Sequence, residues 1–240
     1  MKLSIIIPVY NEKRYFEVLL KKVLDVKIPL KKEIIIVEGN SDDGTKELVK
    51  KYEGKLNFKI IYEYNRSGKG AAVRKGIRAA TGDIILIQDS DLEYNPKEYN
   101  KLLKPILKGK TKFVLGSRNL GLETWAIRKY DHGKWYGYTI NVCSEMLYLL
   151  FYVLYGVKYT DPQTMFKIFH KDCLKDITLV SNKFDLDWEI VCKLTRKGFI
   201  ATEIPVSYKG RTNEEGKKIN VWRDGPLALW TIIKYRLVFV

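Results

Sequence analysis

The sequence contains few cysteines, and their arrangement suggests neither a metal site nor a disulfide framework. Three occur among 240 residues, Cys143, Cys173 and Cys192, an odd number at wide separations. Disulfide-rich domains need paired cysteines at regular spacing, and structural zinc sites need short spacings between their ligands. The pattern argues against both classes and predicts a protein of a reducing compartment.

Long uncharged apolar runs are also lacking. No such run reaches about 18 residues, the length that a membrane-spanning helix needs. Residues 2–8 form an apolar segment that is too short for a secretory signal peptide. Internal repeats, low-complexity tracts and Pro/Ser-rich linkers are missing as well. We therefore expect one large domain, or one domain with an extension, without a signal peptide or a transmembrane helix.

Positive charge is what the sequence has in excess. Its 43 Lys and Arg residues outnumber 28 Asp and Glu residues, which gives a formal net charge of +15. Such an excess predicts an anionic partner: nucleic acid, anionic lipid headgroups or a phosphorylated substrate. Many of the lysines fall on predicted helices, where part of the charge would serve only as a solvated surface.

Short β-branched runs alternate with segments of helical periodicity over roughly the first half of the chain. The predicted strands cover residues 3–9, 33–37, 58–62, 84–87 and 113–115, and the predicted helices cover 15–26, 45–52, 71–80 and 96–107. Residues 65–70 are interpreted as a flexible glycine loop. This alternation predicts an α/β fold with a doubly wound, mostly parallel sheet. In such sheets ligands bind beyond the carboxyl ends of the strands.

Two carboxylates, Asp89 and Asp91, follow the fourth predicted strand directly. Alternate side chains of an extended chain point the same way, so both carboxylates can face one point. Either they cap the next helix, or they share a divalent cation that also holds phosphates. Residues 10–12 and 38–45 also follow strands and should open on the same edge of the sheet, which favours the metal site.

The pattern changes after residue 120. Residues 125–137 are basic and aromatic, and residues 140–157 form a strongly apolar predicted helix. That helix is either buried in the core or placed in a membrane interface. A loop-to-strand segment (160–169), a helix (184–196), a strand (200–208), a charged mobile loop (209–218) and an amphipathic helix (222–240) complete the chain.

A series of short motifs runs through the chain in a characteristic order. They occupy residues 7–12, 41–45, 68–72, 80–83, 88–94, 116–118, 160–167, 210–218 and 222–225. Together they resemble the family 2 glycosyltransferases of the GT-A fold, and within them the dolichyl-phosphate mannose synthase and glucosyltransferase group. The resemblance implies a Rossmann-like GT-A catalytic domain over residues 1–220, with an interfacial helix at about 140–157. A C-terminal amphipathic helix would cover residues 221–240.

The resemblance implies a site for a nucleotide sugar of the GDP-mannose or UDP-glucose type, bound with Mg²⁺ or Mn²⁺. The implied metal ligands are Asp89, Asp91 and Glu93, although Glu93 also fits a solvated carboxylate at a helix start. The residues implied in nucleotide binding are Pro8, Tyr10, Glu12, Glu38, Asn40, Lys69, Asp89, Ser90, Asp91, Arg211 and Lys217. Relatives usually carry two aspartates and a glycine where this chain has Glu38-Gly39-Asn40, which leaves the recognised base open.

The implied acceptor is a polyprenyl or dolichyl phosphate. Its oxygen is already ionised at pH 7, so no strong general base is needed. This agrees with the presence of only two histidines, at positions 132 and 170. The implied catalytic residues are Asp91, Arg118 and Arg128, with both arginines clamping the acceptor phosphate. Arg211 and Lys217 lie on the loop that would close over the donor, and one displacement would invert the anomeric centre.

Other interpretations stay open at this point. A transferase acting on a glycan hydroxyl would need an acidic base, for which Glu189 and Asp187 are candidates; both also suit a helix N-terminus. Asp161 would either orient residues 164–167 or touch the substrate. A nucleic-acid-binding module is disfavoured by the paired aspartates and by the lack of an arginine-rich helix. We expect a peripheral protein of the cytoplasmic membrane face, and the sequence leaves open whether a membrane-spanning partner anchors it.

Overall fold

One seven-stranded sheet organises the molecule. The computed structural model describes residues 1–121, 134–211 and 221–238. In these residues the strand order is β3-β2-β1-β4-β6-β5-β7. All neighbouring strands are parallel except that β6 runs antiparallel to β4 and to β5. The prediction of a doubly wound, mostly parallel α/β sheet is confirmed.

The strands and helices alternate through the first five strands. The strands are β1 (Lys2–Val9), β2 (Lys31–Glu38), β3 (Phe58–Tyr62), β4 (Ile84–Ile87), β5 (Phe113–Ser117), β6 (Lys167–His170) and β7 (Thr202–Pro205). The helices are α1 (Phe16–Asp25), α2 (Thr45–Lys50), α3 (Lys69–Ala79), α4 (Tyr99–Leu107), α5 (Lys134–Tyr155), α6 (Leu186–Arg196) and α7 (Val221–Leu237). Short 3₁₀ turns cover Pro96–Glu98 and Lys171–Leu174.

Most element boundaries lie within two or three residues of the predicted ones. The largest difference is α5, which begins at Lys134 rather than at residue 140. The strand predicted over residues 200–208 is limited to Thr202–Pro205. Pro205, which has no backbone N–H to donate, is the last residue of the strand, and Val206 N still donates to the Ser117 carbonyl of β5 at 2.9 Å.

The centre of the sheet is buried on both faces. All four residues of β4 and the segment Ile5–Ile7 of β1 have no exposed surface. Strands covered by helices on both sides read as continuous apolar runs, which is why neither strand alternates polar and apolar residues. The carboxyl ends of these strands therefore emerge from a rigid core, and the loops that follow them share one edge.

The opposite edge of the sheet holds a buried carboxylate, Glu33, within a dense set of donors. It accepts hydrogen bonds from Thr81 N and Oγ1, both at 2.7 Å, from Gly82 N at 3.0 Å and from Ser4 Oγ. Lys2 Nζ lies 2.5 Å from it. Burial acts to raise the pKa of Glu33, but the hydrogen bonds from Lys2, Ser4 and Thr81 outweigh it and lower the pKa to about 2.

Glu33→Gln should destabilise the fold by about 1–3 kcal/mol at pH 7, because a charged acceptor is lost from this set of donors. The folded pKa lies below the ordinary value of 4.5. The ionised group therefore stabilises the protein above about pH 4.5, and the contribution disappears as the pH falls through 2. Thermal unfolding measured from pH 7 to pH 2 should show that the unfolding temperatures of the wild-type protein and Glu33→Gln approach each other as the pH falls. A difference in unfolding temperature that does not change with pH would contradict this prediction. So would an equal loss of stability in the control Glu47→Gln, whose side chain is exposed.

Helix α5 lies largely at the surface of the described structure. By length and composition alone, Tyr138–Tyr155 is long and apolar enough to cross a membrane, and 22% of that segment is buried. The lack of long uncharged runs predicts no such segment, but Glu145 is the charged residue that interrupts this one, and its length and hydropathy still qualify. A helix of the protein core would be mostly buried, so the low burial argues against the core interpretation of this helix.

Helix α7 packs on α5 and α6 along one side only. Ala228, Ile232 and Tyr235 are buried there. Tyr155 Oη donates to the Ile232 carbonyl at 2.9 Å, and Arg196 Nη1 donates to the Tyr235 carbonyl at 2.7 Å. The C-terminal helix is thus tied to the rest of the fold by both apolar contact and hydrogen bonds.

Candidate active site

A cavity of about 340 Å³ opens at the carboxyl edge of the sheet. The loops after β1, β2, β3 and β4 line it, together with the start of α3 and residues near α6 and α7. The predicted site residues that line it are Pro8, Tyr10, Glu12, Lys69, Asp89, Ser90, Asp91, Glu93 and Arg211. Ser90 Oγ donates to the Pro8 carbonyl at 2.9 Å, which ties the β1 and β4 loops together.

Asp89 is paired with Lys69, the first residue of α3. Lys69 Nζ lies 2.7 Å from one carboxylate oxygen and 2.8 Å from the other. Burial acts to lower the pKa of Lys69, but the charges of Asp89, Asp187 and Asp91 raise it above its ordinary value. The lysine is therefore a fixed cation at the β4 end of the cavity.

Asp91 lies in negative surroundings. Burial, and then the charges of Asp89 and Glu93, raise the pKa of Asp91 to about 7, against the opposing charges of Arg211 and Lys69. Arg211 Nη2 lies 3.3 Å from Asp91 Oδ2. A carboxylate whose ionised form is this poorly compensated favours an added cation beside it.

Arg211 joins three loops. Its guanidinium contacts Glu12 at 2.9 and 3.2 Å in addition to Asp91. Its backbone N–H donates to Glu93 Oε1 at 2.8 Å. The other Glu93 oxygen accepts from Tyr208 Oη at 2.8 Å. Arg211, which the family resemblance places over the donor phosphates, thus contacts the carboxylates of Glu12, Asp91 and Glu93.

The donor set at this position fits a hard divalent cation. Asp89 and Asp91 offer only carboxylate oxygens, which Mg²⁺ and Mn²⁺ prefer, and Mg²⁺ is often held by one or two carboxylates plus substrate phosphates. No group of three or more His, Cys, Asp or Glu side chains within residues 1–121, 134–211 and 221–238 is arranged to hold a metal. Asp89 and Asp91 would thus depend on a ligand's oxygens to complete the coordination.

Glu38 and Asn40 do not line the cavity. The Glu38 side chain is fully buried, and its carboxylate accepts from the backbone N–H groups of Asn40 at 3.1 Å and Ser41 at 2.7 Å. Asn40 is exposed, with a left-handed φ of 61°. Gly39, between them, does line the cavity. In this loop the glutamate stabilises the turn, and the glycine permits close packing on Tyr10, because a Cβ at Gly39 would lie 3.3 Å from the Tyr10 Cβ.

Two glycines at the start of α3 are packed rather than loose, at the end of the loop that the sequence predicts to be flexible over residues 65–70, of which residues 65–67 are exposed. A Cβ at Gly68 would lie 2.3 Å from the Asn182 carbonyl oxygen, and one at Gly70 would lie 2.7 Å from the Ser181 and Lys183 carbonyls. Ala71 N donates to the Asn182 carbonyl at 3.1 Å. The glycines therefore permit close backbone contact that holds Lys69 in place.

Arg118 lies outside the cavity lining and is bound by Asp161. The guanidinium makes two hydrogen bonds to that fully buried carboxylate, at 2.6 and 2.7 Å. Burial acts to lower the pKa of Arg118, but the Asp161 charge raises it well above its ordinary value. The guanidinium also lies 5.2 Å from the centre of the Tyr208 ring, whose hydroxyl reaches Glu93. Arg118 is therefore a permanent cation, and the Tyr208 side chain lies between it and Glu93.

The two candidate bases differ sharply. Glu189 is fully buried and accepts from Val180 N and Ser181 N, and Lys193 Nζ lies 2.7 Å from it. Asp187 is nearly buried, and its Oδ1 has no hydrogen-bond partner in the described part of the chain. Burial raises the pKa of Asp187 to about 6, against the charges of Lys167 and Lys69.

Several predicted residues cannot be placed, and several others were missed. Arg128, Lys217 and His132 lie outside the described residues. Glu63, Arg66, Phe184 and Arg223 line the cavity without having been predicted. Glu63 and Arg66 follow the end of β3, so the rule that identified the other loops would have found them. Phe184 and Arg223 line the cavity because of long-range packing, which no local sequence pattern predicts.

The sequence of this chain matches the family described as Glycosyl transferase family 2 over residues 4–175. The chain belongs to glycosyl transferase family 2. The match includes the first six strands, and with them the paired aspartates and Arg118.

Curated relatives of this family 2 member are longer than the chain. A dolichol-phosphate mannosyltransferase of Pyrococcus furiosus is 33% identical over 128 residues, which are 52% of this chain and 36% of the relative. A dodecaprenyl-phosphate galacturonate synthase of Rhizobium johnstonii is 27% identical over 184 residues, 75% of this chain and 51% of the relative. The chain thus spans about a third of the length of the first relative and about half of the length of the second.

Solved structures agree on the fold of this family 2 member. Glucosyl-3-phosphoglycerate synthase from Mycobacterium tuberculosis, in complex with Mn²⁺, UDP and phosphoglyceric acid, superposes with a TM-score of 0.70 at 16% identity. The match covers all of this chain and 80% of the other. At this identity the likeness concerns the fold alone, and the predicted GT-A fold class is confirmed.

Proposed function

We propose that this protein is an inverting glycosyltransferase that moves a hexose from a nucleotide sugar to a polyprenyl phosphate. The observation that carries the proposal is the carboxylate pair, Asp89 and Asp91, faced by Lys69 and Arg211 in one cavity. Carboxylates for a divalent cation beside fixed cations for phosphate suit a diphosphate leaving group.

On the donor side, the chain's own residues bind and neutralise the diphosphate. Asp89 and Asp91 would hold Mg²⁺ or Mn²⁺, which when bound supplies positive charge to the departing diphosphate. Lys69 keeps Asp89 oriented. Arg211 lies beside Asp91 and could therefore reach the diphosphate. Transfer of Arg211 from Glu12 to a phosphate would close the cavity and exclude water from the donor.

On the acceptor side, a phosphate oxygen would attack the anomeric carbon without first losing a proton. Arg118 supplies a cation that Asp161 holds in a fixed orientation. Arginine suits this role because its planar fork can bind phosphate oxygens while another edge stays with a carboxylate. A single displacement of this kind inverts the configuration. The printed names of both curated relatives mention polyprenyl-type phosphates, which supports this acceptor class.

The acceptor lipid requires a membrane surface, and α7 offers an apolar side to one. Trp222, Leu229, Trp230 and Leu237 are exposed, and their spacing of about seven residues places them on one side of the helix. Arg223, Lys234 and Arg236 on the same helix suit anionic headgroups. Together with the low cysteine content, this supports peripheral attachment at the cytoplasmic face.

A transferase acting on a glycan hydroxyl is the second candidate, and Asp187 favours it. Its buried carboxylate has a pKa raised to about 6, and its Oδ1 accepts no hydrogen bond from the described part of the chain, with Lys167 Nζ at 3.9 Å. Such a carboxylate has a pKa suited to a general base. Glu189 does not, because backbone N–H groups and Lys193 already use its oxygens. The two candidates therefore differ in their dependence on Asp187.

A transfer assay with labelled nucleotide sugars, Mn²⁺ and polyprenyl phosphate in vesicles tests the proposal. We expect a product that partitions into organic solvent, and we expect Asp187→Asn to retain most of this activity because an ionised acceptor needs no base. Loss of about 10²-fold or more in Asp187→Asn, with transfer to a free glycan, would favour the second candidate. No product with any acceptor would contradict both.

A further inference from the structure

The cavity extends across the ends of four neighbouring strands in the order β3, β2, β1, β4. Glu63 follows β3, Gly39 follows β2, Tyr10 follows β1 and Asp89 follows β4, and all four line the cavity. Neighbouring strands lie about 4.8 Å apart, so Glu63 and Asp89 follow strands separated by about 14 Å. An extended nucleoside diphosphate has this scale. If the diphosphate lies at Asp89, as the proposed function requires, the base lies toward Glu63.

Glu63 is a buried carboxylate with capacity for further hydrogen bonds. It is 3% exposed, and its Oε1 lies 2.6 Å from Lys75 Nζ. Its second oxygen accepts no hydrogen bond from the described part of the chain. A carboxylate can only accept when ionised, and it offers about four lone-pair positions. Glu63 therefore favours a ligand that presents N–H donors at this end of the cavity.

The neighbouring carboxylate, Glu38, is not available for such a ligand. Both of its oxygens accept backbone N–H groups of its own loop, and the side chain has no exposed surface. Gly39 beside it packs closely on Tyr10, since a Cβ there would lie 3.3 Å from the Tyr10 Cβ. The Arg66 guanidinium covers the Tyr10 ring at 4.0 Å from the ring centre. An aromatic ring, a cation and the Glu63 carboxylate thus surround the space in which a base would lie.

We propose that Glu63 recognises the base of the nucleotide sugar and selects guanine over uracil. Guanine presents two adjacent donors on one edge, the ring N1–H and the amino group, which match the two oxygens of a carboxylate. Uracil presents one N–H between two carbonyl oxygens. Its carbonyl oxygens would lie next to the carboxylate oxygens and be repelled by their negative charge. Recognition by paired hydrogen bonds rejects an analogue that leaves a buried polar group unmatched.

Calorimetric titration with GDP and with UDP, each in the presence of Mn²⁺, tests this inference. We expect the wild-type protein to bind GDP at least about 10-fold more tightly than UDP. Glu63→Gln should weaken GDP binding roughly 10- to 100-fold, the scale of one bidentate base contact. It should weaken UDP binding less or strengthen it, because a glutamine amide pairs with the donor and acceptor of uracil.

Two further variants separate recognition from stability. Lys75→Met removes the ion-pair partner but keeps the carboxylate, so the preference for GDP should remain. Glu47→Gln makes the same chemical change at an exposed position of α2 and should alter neither affinity. Equal wild-type affinities for GDP and UDP, or an equal loss of both in Glu63→Gln, would overturn the inference while leaving the transferase proposal intact. Absence of binding by either nucleotide would overturn both.

Discussion

Asp91→Asn should reduce sugar transfer by about 10³-fold or more and remove the dependence of nucleotide binding on Mn²⁺. The change takes away one of two carboxylates that would hold the cation, and with it the main source of charge stabilisation for the leaving diphosphate. Initial rates with labelled donor, and titration of GDP or UDP with and without Mn²⁺, measure the two effects separately.

The same substitution should raise, not lower, the unfolding temperature of the metal-free protein at pH 8. Burial and the charges of Asp89 and Glu93 raise the pKa of Asp91 to about 7, so its ionised form opposes folding there. Asp172→Asn, at an exposed side chain, is the matched control and should change neither activity nor stability appreciably. A variant that loses activity because it has unfolded would contradict this interpretation of Asp91.

Arg211→Ala should lower the turnover number by about 10²- to 10³-fold, because one fixed cation on the developing diphosphate charge is lost. The affinity for Mn²⁺ alone should instead increase. Arg211 lies 3.3 Å from Asp91 and also contacts Glu12, so in the metal-free protein it competes with a cation for the carboxylates. Removing it should tighten binding of the metal by itself.

Lys209→Ala provides the control for Arg211→Ala. It removes the same formal charge two residues away, at an exposed position, and should leave both quantities nearly unchanged. Arg211→Lys should recover only part of the turnover, because an ammonium lacks the planar fork that can contact two oxygens. If Arg211→Ala weakened Mn²⁺ binding, the arginine would not be competing with the metal and its assignment to the donor phosphates would lose support.

The fold was largely predictable because local pattern and sheet geometry agree in the first half of the chain. Apolar runs such as Ile84–Ile87 are long enough to be recognised as buried strands, and each is followed by a polar loop. Parallel connections then leave few possible arrangements. The position of β6 between β4 and β5 was not predictable in this way, since it depends on pairing between segments about 80 residues apart.

The site was predictable where a residue follows a strand and was less so where tertiary contacts decide its role. Asp89 and Asp91 follow β4 and line one cavity with Lys69, at the edge where the sequence predicts that the loops meet. Glu38 follows a strand too, yet the turn after it uses both of its oxygens, an outcome that depends on backbone geometry at Asn40. Asp187 and Glu189 are indistinguishable in sequence, and only their burial and hydrogen-bond partners separate them.

The insertion of antiparallel β6 between β4 and β5 also bears on how the chain is made. During synthesis β1 can pair with β2 and with β4 early, but one edge of β4 has no neighbour until residues 167–170 leave the ribosome. Unpaired edges of apolar strands are prone to association with other chains. The growing polypeptide therefore carries its paired aspartates, Asp89 and Asp91, at the end of an unprotected strand for the time needed to add about 80 residues. Chaperone dependence of this protein should be concentrated in that interval.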